Sequence, residues 1–494
     1  MDSSFFPKTW RSKEVKVSEE EQNIPLGQYN LVRVEKKFIE VITSFVQSIF
    51  NYEQIKVTLN KKENYNTASK GYSSGNLVPE SGHTKFHFAA KLFNDQLYEF
   101  SVSNIPATPE SSHIKIFFTV LMEYLFHFND IITKTLPVQD GRLFASSDFI
   151  TKSDIWLYNI KRTIIIEYIY NLFNTFDKDY NSEPKLFPNQ IRYNIDLINL
   201  IFDFGIELST KKVENKEIYC GFIFHDDGDE VKFNSVKSFK FEKQFDFGNF
   251  GQLKSYLEIS NGQNIFFNVT NEKITHLFIT KDKLNEIYLS PMGNGKTFQS
   301  RPLILSVQGN GNIYFLEGRS DQNKILLQIV NSQPLIRDND FIKKFIYNSL
   351  EEFTTVDDIK LEVFSKWIMS LSQRKHGTSL LFNNITNETQ SKLVKSIQIT
   401  FDSGSFLEKR TLPYDLSLLD SITNPDGAVI FNKNLTPTHI STILPIGQNA
   451  TGESGGARHN SIANFTNEFS CLGIVISEDG PITIFKNGKK LIKF

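Results

Sequence analysis

Between residues 31 and 52 apolar side chains return every three or four positions, at Phe38, Val41, Ile42, Phe45 and Ile49. That spacing predicts an amphipathic helix. Over 84–102 the pattern becomes alternation, with Phe86 and Phe88, then Leu92, Leu97 and Phe100, and predicts a pair of strands. Helical spacing returns over 110–129 and again over 153–177, where Ile155, Ile160, Ile164, Ile165, Tyr168 and Leu172 recur. Residues 1–30 and 53–80 are mostly polar and read as a tail and a connecting stretch.

From about 195 to 335 the pattern is one of short strands. Turn signals fall at 226–229, 248–251, 261–263, 293–295 and 309–311. The runs 219–224, 301–307, 313–316 and 325–330 are strand-like. Near 340 the rhythm changes again. Residues 341–353 and 358–372 predict helices, 374–382 a turn feeding a strand, and 396–400 another strand. Residues 412–422 predict a helix with an early Pro413 and with Asp415 in its first turns. A strand is expected at 428–431, a loop through Leu444 and Pro445, a helix at 458–469, and a hairpin made by 472–477 and 482–485. Alternating strands and helices that end in a hairpin imply an α/β fold with a mixed sheet and flanking helices, preceded by α+β and β-rich regions. The expected division is a polar tail at 1–30, an α+β region at 31–195, a β-rich region at 196–338 and an α/β domain at 339–494.

The chain has 494 residues, too many for one ordinary core. Hydrophobic residues make up 40% and charged residues 22%, the range of a globular protein. A net charge of −2 gives no basic field to draw in nucleic acid, so none is expected as a partner. Phe is abundant at 45 residues, and this reads as compositional bias without chemical meaning. Two cysteines far apart, Cys220 and Cys471, fit a reducing compartment better than a disulfide framework. The N-terminal residues lack the basic-then-apolar order of a secretion signal. The most apolar stretch, 114–128, is broken by Lys115, Glu123 and His127. A cytoplasmic protein without a membrane span is the expectation.

The candidate chemistry is near the C-terminus. Asn424-Pro-Asp-Gly-Ala-Val-Ile-Phe431 puts Asp426 at a tight turn that opens into an apolar strand. Gly455-Gly-Ala-Arg-His-Asn-Ser461 puts a small-residue loop, then Arg458 and His459, at a helix start. An Asp can hold a divalent metal, and a Gly-rich helix N-terminus with Arg and His can hold phosphates. Each has a plainer reading. Asp-Gly closes turns without any ligand, Glu478 fits a solvated hairpin, and Arg458 and His459 fit an ordinary helix surface and cap.

In order and spacing these pieces resemble the DisA-type diadenylate cyclase domain, which makes cyclic di-AMP from two ATP. Helix 412–422 runs into Asp426-Gly-Ala-Val-Ile, similar to the family's Asp-Gly-Ala strand. Ile443-Leu-Pro445 is similar to the Leu-Pro that follows it. Gly455 to Ser461 is similar to its Gly-Thr-Arg-His-Arg loop and helix start. Ile474-Val-Ile-Ser-Glu478, Gly480 and Ile482 are similar to its ending, and His376-Gly-Thr-Ser-Leu-Leu-Phe382 to its first strand. The resemblance spans about 345–494. It implies a nucleotidyltransferase using ATP and Mg²⁺ or Mn²⁺, with Asp426, Arg458 and His459 catalytic and Asp426 and Glu478 as metal ligands. Gly427, Ala428, Leu444, Gly456, Ala457, Asn460, Ser461 and Ser477 would bind nucleotide, with Leu444 either a wall for adenine or core. One ATP per domain implies a homodimer or higher symmetric oligomer. The region before it looks like a sensor whose ligand the sequence does not name.

Two positions depart from the family pattern. Its Thr before Arg-His is Ala457 here, and its second Arg is Asn460. Losing that charge weakens phosphate binding by roughly 1–3 kcal/mol unless another group compensates. Ser454 and Ser461 are the candidates to replace the missing hydroxyl. A catalytically inactive nucleotide sensor is the alternative reading. Elsewhere, Gly293-Asn-Gly-Lys-Thr297 lacks the first glycine of a phosphate loop and reads as a hairpin turn. His225-Asp-Asp-Gly-Asp229 lacks the later ligands of a calcium loop. His83 and His87 share a strand face without converging on a metal.

Overall fold

Phenylalanine builds the first core. The structure is a computed structural model. It describes residues 26–61, 75–92, 96–135, 138–139, 142–143, 161–172, 195–213, 215–224, 235–280, 303–308, 313–317, 324–330, 333–372, 376–382, 392–400, 406–444, 456–478 and 480–494. The Gly293–Thr297 and His225–Asp229 segments, three of the five turn signals and most of the polar tail lie outside these residues. The chain divides into two compact units, Met1–Thr210 with Ser332–Asp338, and Lys211–Asn331 with Asn339–Phe494.

In the first unit, helix α1 (Leu26–Phe50) precedes an antiparallel sheet of β1 (Lys56–Lys61), β2 (Asn76–Glu80), β3 (His83–Leu92) and β4 (Gln96–Ile105), ordered β1-β4-β3-β2. Helix α2 (Ser112–Thr135) follows, then helical residues 161–172 (α3) and α4 (Ile195–Thr210). The rings of Phe50, Phe118 and Phe86 stack in series at 5.9 and 4.9 Å, and Phe117 meets Tyr168 edge-on at 5.7 Å. Each such ring, fully buried, contributes about 1.5–3 kcal/mol. The abundant Phe is therefore structural material. Strands β1 and β2 stand in the stretch read as a polar connection, and His83 does lie in a strand, with Nε2 2.9 Å from the Tyr52 hydroxyl. Helix α4 corrects the expectation of short strands from 195. Its buried Ile198, Ile201, Phe202, Phe204, Gly205 and Leu208 follow helical spacing, while β-branched and aromatic residues had suggested strand.

In the second unit, strands β5 (Tyr219–Phe224), β6 (Ser235–Asp246), β7 (Ile265–Thr270), β8 (Lys273–Thr280), β9 (Leu303–Gln308), β10 (Ile313–Glu317) and β11 (Lys324–Val330) lie in the order β6-β8-β7-β5-β9-β10-β11. Phe222, Phe224, Phe247 and Phe267 form its aromatic core. The turn at 261–263 is closed by Asn261, whose Oδ1 accepts from the N–H groups of Gln263, Asn264 and Ile265.

The C-terminal part of this unit has its own sheet. Helices α5 (Asn339–Glu351) and α6 (Asp358–Leu371) lead into β12 (Thr378–Phe382) and β13 (Lys395–Gln398). Then come α7 (Leu412–Ile422), β14 (Ala428–Phe431), β15 (Pro437–Ile443), α8 (Ala457–Glu468), β16 (Leu472–Ile476), β17 (Ile482–Lys486) and β18 (Lys489–Lys493). The strand order is β13-β15-β14-β12-β16-β17-β18, with β12 and β14 parallel and the other pairs antiparallel. The sheet is mixed, as its pattern implied. On one face Phe364 and Trp367 of α6 pack on Phe382 and Phe431. On the other, Ile462, Ala463 and Phe465 of α8 pack on Leu381, Ala428, Ile430, Val475 and Phe485.

Local signals explain most boundaries. Asp357 caps α6 by accepting from the Lys360 N–H at 2.9 Å. Pro413 sits in the first turn of α7, where Asp415 accepts from the Leu407 N–H at 2.9 Å and the Thr411 hydroxyl at 2.6 Å. Strand β15 corrects the loop expected before Leu444. Its Thr, His and Ser residues give a weak apolar signal although His439 and Thr442 are buried, and its proline stands at the first position, where a strand tolerates one.

Candidate functional site

Strand register gathers the site. Ser379 of β12 lies beside Ala428 of β14, and Thr378 lies opposite Ile476 of β16. His376-Gly377, Asp426-Gly427 and Ser477-Glu478 therefore leave the sheet at one end. Helix α8 begins there, and Arg458 is its second residue.

Arg458 reaches across to Asp426. Its Nη2 donates to Asp426 Oδ1 at 3.0 Å, with the two side chains 36% and 91% exposed. The Gly427 N–H donates to the same oxygen at 3.3 Å. The hydrogen bond from Arg458, then its charge, then the Gly427 N–H hold the Asp426 carboxyl below the usual carboxylate range, and the His376 imidazole adds a smaller pull. An ion pair this open contributes about 0–1 kcal/mol to stability. It is a poor strut.

Gly427 is fixed by its own backbone. Its φ is +106°, and a Cβ there would stand 2.7 Å from the Ser441 carbonyl carbon and 2.9 Å from the Thr442 N. Ala428 and Leu444 belong to the core beneath α8, and Leu444 keeps only 6% of its surface exposed. Of the two roles open to Leu444, core is the one its burial favours.

Among the described residues the start of α8 has no side-chain cap. Gly456 is its N-cap residue and offers no side-chain cap, and no acidic residue lies in the first turn. Its first turn, which carries Arg458, is therefore at the end of the sheet where Arg458 meets Asp426, with the positive end of the helix dipole there. Ala457 is exposed and Asn460 half-buried. The Ser461 hydroxyl donates to the Ala457 carbonyl at 2.8 Å, so it is engaged within the helix. His459 turns toward the sheet. Its Nε2 is 3.2 Å from the Thr483 hydroxyl, and its ring meets Phe485 edge-on at 6.0 Å. Ser477 closes the turn after β16, its N–H on the Pro481 carbonyl and its carbonyl on the Gly480 N–H, both at 2.9 Å. Glu478 is exposed beside it.

Among the described residues no three His, Cys, Asp or Glu side chains gather to hold a metal. The donors at this end of the sheet are the carboxylates of Asp426 and Glu478. That set fits a hard cation such as Mg²⁺, which keeps several waters and takes phosphate oxygens alongside one or two carboxylates.

Two residues of the site were not singled out by sequence. Gly377 is buried, and a Cβ there would lie 2.6 Å from Arg458 Nη1. A glycine at the start of an apolar strand was the available signal, since it marks close approach of another group. His376 is half-buried, and its Nε2 has no hydrogen-bond partner among the described residues.

Residues 366–490 match the family model described as DisA bacterial checkpoint controller nucleotide-binding. This segment is a DisA-type nucleotide-binding domain. It includes the site residues from His376 to Glu478. Two solved structures are similar in part to the chain. One is a hypothetical membrane spanning protein from Bacillus cereus, 25% identical, with TM-score 0.24, covering 30% of this chain and 68% of the other. The second is a double mutant of DacA from Staphylococcus aureus, 20% identical, with TM-score 0.21, covering 26% of this chain and 81% of the other. No curated protein matches the chain. Among the described residues no helix is long and apolar enough to cross a membrane.

Proposed function

We propose that the DisA-type domain is a diadenylate cyclase that condenses two ATP into cyclic di-AMP and two pyrophosphates. The carrying observation is the Arg458–Asp426 pair at an uncapped helix start, within a segment that matches this family. The 3′-hydroxyl of one ATP attacks the α-phosphorus of the other. The new P–O bond forms as pyrophosphate leaves, the hydroxyl proton passes to solvent, and a second such step closes the ring.

This chemistry needs placement and charge neutralisation more than covalent help. A divalent metal, Mg²⁺ or Mn²⁺, supplies neutralisation at the α-phosphate when bound. Asp426 holds it, with Glu478 as the second carboxylate. Arg458 and the first N–H groups of α8, from Ala457 onward, take phosphate oxygens. Asn460 hydrogen-bonds beside them, and His459 fixes the helix start against Thr483 and Phe485. Gly427 and Ser477 set the backbone edge along which the nucleotide lies. Each domain holds one ATP, so two copies face each other in a symmetric dimer or higher assembly. The preceding regions act as a sensor that governs how two domains meet, in the cytoplasm where ATP is available.

The test is incubation of the purified full chain with ATP and either metal, at concentrations that favour dimers. Mass spectrometry should find cyclic di-AMP; its absence under both metals sinks the cyclase reading.

One observation favours a second reading, an inactive nucleotide sensor. Of the two candidates to stand in for the Thr replaced by Ala457, the Ser461 hydroxyl donates to the Ala457 carbonyl, and Ser454 lies outside the described residues. Such a protein would show a thermal shift with ATP and never turn it over.

A further inference from the structure

Gly377 is a glycine whose backbone does not require one. It is not among the positive-φ residues, so an alanine could adopt its conformation. What requires glycine is contact. A Cβ at this position would lie 2.6 Å from Arg458 Nη1, 3.1 Å from the Glu478 N and 3.2 Å from the Ile476 carbonyl oxygen. The shortest contact is with the tip of a flexible side chain, and the two backbone contacts need give only slightly. The guanidinium of Arg458 lies on the bare backbone of Gly377, and from there reaches Asp426 Oδ1 at 3.0 Å.

We propose that Gly377 is a positioning residue for the cyclase site: the absence of a side chain there seats the Arg458 guanidinium where it meets both Asp426 and the substrate phosphates. The proposal rests on the phosphate-binding role of Arg458. A methyl group at 377 lifts the guanidinium by roughly 1 Å to restore van der Waals distance. Misplacement of that size costs on the order of 100-fold when geometry carries the catalysis.

The test is a double-mutant cycle on the full chain. Gly377→Ala should lower kcat on the order of 100-fold and weaken ATP binding, while its melting temperature stays close to that of the parent. Arg458→Lys removes the Nη1 group that meets the methyl, so adding Gly377→Ala to Arg458→Lys should cost little further. Equal losses in both backgrounds, or no loss in either, would overturn the seat. If the parent makes no cyclic di-AMP, the same cycle is read from ATP affinity by calorimetry. Should the parent neither turn over nor bind ATP, the cyclase reading has failed separately. The seat is then read without ligand from arginine-labelled NMR spectra, in which the Arg458 side-chain resonance, assigned with Arg458→Lys, must move in Gly377→Ala. An unmoved resonance overturns it.

Discussion

Arg458 and Asp426 meet at 3.0 Å across the end of the C-terminal sheet, joining the start of a helix to the turn before a strand. Both side chains are substantially exposed, and neither is needed to close a core. On the proposed function, the carboxylate stands ready for a cation and the guanidinium for phosphate oxygens.

Asp426→Asn therefore separates function from folding. The carboxylate is almost fully exposed, so its replacement should change stability by no more than about 0.5 kcal/mol. Cyclic di-AMP synthesis should fall to background under both Mg²⁺ and Mn²⁺. Assay and thermal melt on the same preparation check this; retained activity would remove Asp426 as the metal ligand.

His459 is tied to the sheet as well as to the site. His459→Ala strips a ring from Phe485 and leaves the fully buried Thr483 hydroxyl without this partner. A loss of about 1–3 kcal/mol should follow, seen as a lower denaturation midpoint in urea. Unchanged stability would show that the contacts with Thr483 and Phe485 do not hold the helix start.

Much of the C-terminal domain was legible because its strands are apolar and its turns are chemically explicit. Thr378–Phe382, Ala428–Phe431 and Leu472–Ile476 bury every residue, and an unbroken apolar run between turns carries its own boundaries. Motif order singled out Asp426, Arg458 and Glu478, and the sheet register with the start of α8 brings the segments that carry them to one end of the sheet. Strand β15 was hidden because polar Thr, Ser and His residues fill most of it, even where they are buried. Helix α4 was hidden because Ile and Phe fit either period over a short window. Gly377 was passed over for another reason: a glycine at a strand start marks a close approach but does not name what approaches. Its role lies in what touches it, and that contact comes from a residue 81 positions later, 458 − 377.

Acid should weaken the fold partly through His439. It lies on β15 with 4% of its surface exposed, its Nδ1 is 3.1 Å from the Thr438 hydroxyl, and its Nε2 lies buried. Burial pushes its pKa below the ordinary 6.5. In the unfolded chain the imidazole takes a proton near 6.5, whereas in the folded chain it resists. The stabilisation is therefore present above about 6.5 and is lost as pH falls from there toward the depressed folded value. His439→Leu should flatten the fall in melting temperature across that window. His83 in the other unit shifts in the same direction, so the comparison is between variant and parent at each pH. An identical pH slope in both would exclude His439 as a contributor.

Gly427→Ala should behave unlike Gly377→Ala, although both glycines border the site. At 427 the φ of +106° is itself unfavourable for alanine, and the added methyl meets backbone atoms of Ser441 and Thr442 at 2.7 and 2.9 Å. Neither the turn nor β15 can yield as a side-chain tip does, because both are held by the β14–β15 ladder. The cost should be about 1–3 kcal/mol of stability, with activity lost through displacement of the neighbouring Asp426. At 377 the fold should survive and only the seat of Arg458 should be lost. Thermal melts of the two variants side by side decide the point: a lowered midpoint for Gly427→Ala alone fits these contacts, and equal midpoints would show that the turn before β14 yields more readily than its backbone contacts imply.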